Sequence, residues 1–234
     1  MQADTITLMH RALPLLGKVP LFSDPSEEQC LELWQQSRLR QYPEGSTLMA
    51  QGDEADEALL ILIGSATVSR KVREASHTLR IAQAGDLLGE MALISGHARS
   101  ATVMAHDDCQ VLAISRDVFR SMLRANPDFT FRIMDMLCQR IIEGNNAWSM
   151  AHSYGTEARV ASLLLDLQDR FPTEENGRHY IGVRLTHADL ANMLGIAREN
   201  VTKSLTKFRK AGAIAVEKRR MEILNADELR SWIC

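Results

Sequence analysis

The sequence predicts an α+β chain built in three parts. A roll of short strands comes first, then a long helix, then two short helices and a β-hairpin wing. Three observations carry this reading. Short β-prone runs recur between glycines from Leu39 to about Ile114. Apolar residues follow a heptad through residues 126–152. Near the C-terminus two amphipathic stretches break at Gly195 and precede two strand-like runs around a basic tip. The expected divisions are 1–116 for the N-terminal helices and the roll, 117–154 for the helical segment, and 155–234 for the C-terminal part.

Residues from Met1 to about Arg38 read as helical and polar, with a turn at Val19–Ser26 before a helix starting near Pro25. The strand candidates of the roll are Ser46–Met49, Ala58–Ile63, Ala66–Ser69, Leu79–Ile81, Ala101–Met104 and Val111–Ile114. Glycines at 45, 52, 64, 85, 89 and 96 separate them, the spacing of an all-β roll or barrel. Asp117 to about Ser153 reads as helical, with Pro127 at a tolerated first-turn position. The heptad there places Met134, Ile141 and Trp148 at one position and Leu137, Gly144 and Ala151 at the other. A narrow seam on a helix of about 25 residues fits a two-stranded coiled coil, hence a homodimer. Packing on the chain's own β body accounts for the same residues on one side. Thr156 is the expected cap of a helix running through Leu167, and Phe171–Gly177 reads as a loop.

Composition bounds the function. The chain has 234 residues, 45% apolar and 24% charged, the balance of a globular protein. No apolar run approaches the roughly 18 residues of a membrane span, and the N-terminus has no signal-peptide pattern. Cys30, Cys109, Cys138 and Cys234 form no close pair, which argues against a disulfide framework and against a zinc or cluster site. A reduced cytoplasm is the expected compartment. The net charge of −3 is uneven: Arg198–Arg220 carries +6 and the rest −9. A solvated charged helix gives such a segment, and so does a polyanion-binding module.

The second reading gains from the local pattern. Thr186 caps a short helix with Asp189 in its first turn, Gly195 breaks it, and Ala197 opens a second helix with Val201, Leu205 and Phe208 on one side. This is a helix-turn-helix pattern. Arg198, Glu199, Thr202 and Lys203 fall on the outer face at the start of the second helix, where base contacts in a major groove are made. Arg suits guanine O6/N7 and Glu accepts from cytosine N4. Ala213–Val216 and Met221–Leu224 then flank Glu217-Lys218-Arg219-Arg220, a wing whose basic tip suits phosphate. The expected DNA-facing set is Thr186, Ala197, Arg198, Glu199, Thr202, Lys203, Lys218 and Arg219.

The other candidate site lies in the roll. Gly85-Asp86-Leu87-Leu88-Gly89-Glu90-Met91-Ala92 precedes Ser95-Gly96-His97-Ala98-Arg99-Ser100. The glycines permit close backbone approach and a helix start offers free N–H groups to an anion. Arg99 can pair with a phosphate, Ser100 can donate its hydroxyl, and Glu90 can accept from a ribose hydroxyl. By spacing alone, a turn with a surface Glu–Arg pair reads at least as well.

Gly89-Glu90-Met91-Ala92-Leu93-Ile94 through Arg99-Ser100-Ala101-Thr102-Val103, together with Gly195-Ile196-Ala197-Arg198-Glu199-Asn200-Val201, resembles the cyclic AMP receptor protein/FNR family of bacterial transcription regulators. The resemblance runs from about Val19 to Ile223. It implies a cyclic-nucleotide-binding β-roll of the double-stranded β-helix (jelly-roll) type, a long dimerisation helix and a C-terminal winged helix-turn-helix. It implies that Gly89, Glu90, Arg99 and Ser100 hold the ribose and cyclic phosphate, with Met91 and Ala92 in the same binding segment. Members that use cyclic AMP carry a Thr-Ser pair facing the base, where this chain has Gly144 and Asn145. Asn145 both donates and accepts, so cyclic AMP is favoured and cyclic GMP stays open. Lys203 stands where the cyclic AMP receptor has Arg, a point charge without the bidentate fork.

The resulting expectation is a transcription regulator, not an enzyme, with no metal. A cyclic nucleotide is its effector, and its partners are double-stranded DNA and its own copy through the 126–152 helix. RNA polymerase is expected as a partner if it activates, and no membrane is. The alternatives are a constitutively competent apo dimer, or a haem or redox sensor. Haem would draw on His77, His97 or His106, and an iron–sulfur centre would need more than Cys30 ahead of the roll. The His106-Asp107 dipeptide of metal phosphohydrolases sits here between strand candidates, without the further ligands that chemistry needs.

Overall fold

The alternation of the apolar runs explains how the roll closes. In a computed structural model describing residues 33–73, 75–217 and 220–233, β1 (Arg38–Tyr42), β8 (Cys109–Ser115), β3 (Glu57–Ile63) and β6 (Leu87–Leu88) form one antiparallel sheet in that order. The other sheet is β2 (Thr47–Met49), β7 (Thr102–Ala105), β4 (Ser65–Val72) and β5 (Ala75–Gln83). β3 is apolar from Ala58 onward because both faces of Ala58–Leu62 are covered. Ala58, Leu60 and Leu62 join a core with Leu112, Ile114, Phe119, Phe129 and Ile133. Leu59 and Ile61 join Val68, Ala82, Val103 and Val111 between the sheets. Successive strand residues point to opposite faces, so one strand feeds two cores.

Helix α1 (Glu90–Ser95) is a short insert between β6 and β7. Helices α2 (Arg116–Ala125) and α3 (Pro127–Ser153) then follow the roll. The break between them is chemical: Asn126 Oδ1 accepts from the Phe129 N–H at 3.0 Å, and Pro127 takes the first helical position. Phe129 and Ile133 anchor the first turns of α3 in the roll's core, with Phe119 edge-on to Phe129.

By compactness the chain divides into 1–139 and 140–234, a boundary that falls inside α3. In the second unit α4 (Thr156–Arg170), α5 (His187–Leu194), α6 (Arg198–Lys210) and α7 (Ala226–Ser231) surround Val160, Leu164, Leu190, Val201, Leu205, Phe208 and Leu229, all buried. Their sheet runs β11 (Ile214–Glu217), β12 (Arg220–Ile223), β10 (Arg178–Ile181), β9 (Pro172–Glu175).

Several expectations change. The segment read as a loop after Phe171 is the β9–β10 hairpin. Gly155, not Thr156, occupies the N-cap of α4, and Thr156 is its first helical residue. β1 was absent from the strand candidates. The turn at 19–26 and the helix near Pro25 lie outside the described residues, as do Lys218 and Arg219.

Candidate nucleotide cassette and nucleic-acid interface

The cassette forms around a buried guanidinium. Gly89 ends β6 in the left-handed region, at φ 81°, and caps α1. Gly96 ends the helix at φ 76°, its N–H donating to the Ala92 carbonyl. The chain then returns along the roll: Arg99 N–H donates to the Asp53 carbonyl, and Gly52 N–H donates to the Arg99 carbonyl, both at 2.9 Å. These bonds turn the Arg99 side chain inward. Its Nη1 donates to the Gly89 carbonyl at 3.0 Å and its Nη2 to the Glu57 carbonyl at 2.6 Å. Arg99 is 6% exposed and Glu90 is 1% exposed. A Cβ on Gly89 would run into Arg99 Nη1, so glycine is required here by close approach as well as by φ.

Burial pulls the Arg99 guanidinium below its usual basicity. The charges of Asp56, Glu57 and Glu90 oppose that pull, and Arg116 adds to it. Arginine nevertheless stays protonated. A buried cation with two of its five donors on main-chain carbonyls retains donors for an anion. Ser100, next in sequence, is exposed, and Met91 is half-exposed on α1. Ala92 is buried in the roll's core, so only its backbone can serve a ligand. Gly144 and Asn145 are exposed on α3 and belong to the second unit.

The Asp107 carboxylate has a structural task. It accepts from the Ser65 N–H at 2.6 Å and from the Ser65 hydroxyl at 2.8 Å, closing the β3–β4 turn. Among the described residues no group of three His, Cys, Asp or Glu side chains is arranged to hold a metal ion.

The exposed side of α3 is wider than the heptad reading. Met134, Ile141 and Trp148 are exposed, Trp148 by 65%. Leu137, read as the partner position, is partly buried against the roll's own core. Phe131, 70% exposed, and Cys138 flank Met134 on the other side instead.

In the second unit Thr186 caps α5 reciprocally with Asp189. The Thr186 oxygen accepts from the Asp189 N–H at 3.2 Å, and the Asp189 carboxylate accepts from the Thr186 N–H at 2.7 Å. Gly195, at φ 62°, makes the turn, and Ala197 begins α6 in extended backbone. Val201, Ser204, Leu205 and Phe208 face inward, so Ala197, Arg198, Glu199, Thr202 and Lys203 are left exposed together. Lys207 bonds Glu157 of α4 at 2.6 Å, which holds that carboxyl below its ordinary range. In the wing, Arg220 pairs bidentately with Glu175 at 2.7 and 2.8 Å and lies 4.6 Å over the Tyr180 ring. Arg220 therefore braces β12 against β9.

Comparison with known proteins now decides the family. Residues 39–126 match the family model "cyclic nucleotide-binding domain" and residues 158–232 match "Crp-like helix-turn-helix domain". The cAMP-activated global transcriptional regulator CRP of Salmonella typhimurium is 30% identical over 195 residues, 82% of this chain and 89% of that one. The chain belongs to the cyclic AMP receptor protein/FNR family. Another family member, the CRP-like cAMP-activated global transcriptional regulator of Mycobacterium tuberculosis, is 25% identical over 92% of this chain and 96% of its own. The family's fold recurs in FixK2 from Bradyrhizobium japonicum, with a TM-score of 0.74 at 16% identity over 85% of this chain and 98% of that one. The matched cyclic-nucleotide-binding region contains the Gly89–Arg99 cassette, and the matched helix-turn-helix region contains α5, α6 and the wing.

His187 was absent from the expected DNA-facing set. Its Nδ1 lies 2.9 Å from Thr202 Oγ1. The two residues stand fifteen apart on different helices, so no periodicity in the sequence signals the bond. The main-chain seat of Arg99 at Glu57, 42 residues upstream, is equally silent in the sequence.

Proposed function

We propose that the protein is a homodimeric transcription regulator whose DNA binding is controlled by a cyclic nucleotide, with cyclic AMP favoured over cyclic GMP. The observation that carries this is the Arg99 guanidinium, buried and oriented by the Gly89 and Glu57 carbonyls beside the buried Glu90, inside the matched cyclic-nucleotide-binding region. Arg99 offers its remaining donors to the cyclic phosphate, Ser100 adds a hydroxyl, and Glu90 accepts from the ribose. The backbone at Gly89, Met91 and Ala92 completes the cradle. Gly144 and Asn145 take the base side. That curated relatives are named cAMP-activated supports the choice of base.

Two copies pair through the 126–152 helix, burying Met134, Ile141 and Trp148. The paired recognition helices then enter major grooves about 34 Å apart on a pseudo-palindrome. Thr186, Ala197, Arg198, Glu199, Thr202 and Lys203 face the DNA, with Lys218 and Arg219 at the wing. The nucleotide acts through its differential affinity for two arrangements of the dimer. RNA polymerase is the partner if the protein activates, and the cytoplasm is its compartment.

Isothermal titration with cyclic AMP and then cyclic GMP tests this reading. Micromolar binding of one nucleotide, lost in Ser100→Ala and in Arg99→Lys, is the expected result. Ser100 is exposed, so its truncation leaves the fold intact. Arg99→Ala is the poorer probe, because it strands two buried carbonyls at about 1–3 kcal/mol each. No heat and no thermal shift with either nucleotide would remove the effector and leave a dimer competent without ligand.

A further inference from the structure

We infer that Arg116 is a positioning residue that ties the nucleotide cassette to the root of α3, through a strap of main chain at residues 53–57. The inference rests on the cyclic-nucleotide reading and names the route by which that site reaches α2. The strap is irregular backbone after β2 and ends on Glu57, the first residue of β3. Two arginines hold its carbonyls in a nested pattern. The outer pair belongs to Arg99, whose N–H donates to the Asp53 carbonyl at 2.9 Å and whose Nη2 donates to the Glu57 carbonyl at 2.6 Å. The inner pair belongs to Arg116, whose N–H donates to the Asp56 carbonyl at 2.7 Å and whose Nη2 donates to the Ala55 carbonyl.

Arg116 is the first residue of α2. A cation is disfavoured at that end of a helix, so the helix itself does not call for an arginine there. The strap does. The charges of Asp56 and Glu57 favour the Arg99 cation and Arg116 opposes it, so the strap's own acids let two guanidiniums share one segment. The Glu57 carboxylate is held in turn by Arg40 of β1.

The strap also reaches inward. The Ala55 side chain is buried in the same core as Phe119 of α2 and Phe129 and Ile133 of α3. An anion drawn onto Arg99 therefore pulls on a segment that Arg116 grips and that packs with the first turns of α3. Peptide units are rigid planes, so the Glu57 carbonyl cannot turn without its neighbour at Asp56. A close-packed interior passes such a displacement on. α3 itself runs on into the second unit.

The test separates affinity from coupling. Titration calorimetry of the full chain reads affinity for cyclic AMP (cyclic GMP if only that one binds). Fluorescence anisotropy reads DNA affinity with and without saturating nucleotide, on a labelled duplex selected from random sequence in its presence. In wild type the nucleotide should tighten DNA binding by a factor in the usual range of about 5–150. Arg116→Met keeps the main-chain N–H and removes the guanidinium. It should leave nucleotide affinity of the free protein within about threefold and reduce the coupling factor about fivefold or more. Arg116→Lys keeps a charged donor for the Ala55 carbonyl and should restore most of the coupling. Hydrogen exchange gives a second reading that needs no DNA. Nucleotide should slow exchange in both 53–57 and α2 of wild type, and in 53–57 alone in Arg116→Met. An unchanged coupling factor in Arg116→Met would overturn the inference while the nucleotide reading stood. So would a loss of nucleotide affinity as large as the loss of coupling, which would make Arg116 part of the cassette's own framework. Absence of nucleotide binding in wild type, or of any effect of nucleotide on its DNA binding, would overturn both.

Discussion

The two functional regions handle positive charge in opposite ways. In the roll, the decisive cation is a single arginine, buried and bonded to the main-chain carbonyls of Gly89 and Glu57. In the helix-turn-helix, Arg198 and Lys203 stand exposed on one helix face. The surroundings differ in the same sense: residues 1–139 carry a net −5 and residues 140–234 a net +2. A small anion with one phosphate is best met by a fixed, dehydrated donor set, where each hydrogen bond is strong. A polyanion is met by mobile surface cations that displace its counterions. Under the proposed reading, the first site is specific by geometry and the second gains affinity from charge.

Gly89→Ala is the strongest way to break this contrast. It places a Cβ against Arg99 Nη1 at a residue with φ 81°. Cyclic nucleotide affinity should fall about a hundredfold or more, with a lower melting temperature from strain of about 1–3 kcal/mol. Titration calorimetry and thermal unfolding read both. Undiminished binding would show that the guanidinium need not occupy its carbonyl seat.

Arg198→Ala is next. On the DNA side the loss should be about 1–3 kcal/mol at one guanine position, with specificity relaxed there and folding unchanged. Binding to a panel of single-base operator variants reads it. Uniform weakening on every sequence would reassign Arg198 to the phosphates.

The smallest effect belongs to the wing brace. The Arg220 guanidinium holds the Glu175 carboxyl below its ordinary range. A carboxylate lowered by folding contributes stability above its unfolded pKa and loses it as pH falls through the folded value. Wild type should therefore lose a small increment of stability on acidification that Glu175→Gln lacks. Parallel melting curves of the two proteins from neutral to acidic pH check this, and curves that keep a constant offset would show the pair to be energetically idle, as many exposed pairs are.

How much of this was legible in the sequence depends on what fixed each element. The run Ala58–Ile63 announced a strand because both faces of Ala58–Leu62 are buried, and Thr186, Asp189 and Gly195 announced a helix and its turn because capping is local chemistry. β1 went unread because Arg38, Arg40 and Gln41 leave little apolar signal on a strand at the sheet's edge. β9, also at an edge, went unread for the same reason, with Pro172 opening it and Glu174 and Glu175 closing it, and β10 went unread because Arg178–Ile181 is too short a run to show an alternation. The heptad on α3 was read in part: Met134, Ile141 and Trp148 are exposed, but only tertiary packing could show Leu137 turned toward the roll. The cassette's glycines were legible as glycines. That Gly89 must clear a guanidinium from ten residues downstream was not.

The seat of Arg99 also bears on how long a molecule of this protein survives in a cell. Under the proposed reading, the donors of Arg99 that are not held by the Gly89 and Glu57 carbonyls tie the anion to the folded roll alone. A nucleotide that binds only the folded chain adds about 2.7 kcal/mol when present at a hundredfold excess over its Kd. That increment lowers the population open to proteases by about two orders of magnitude. Under the proposed reading, the effector then sets the standing amount of the regulator through turnover, in addition to switching the molecules already made.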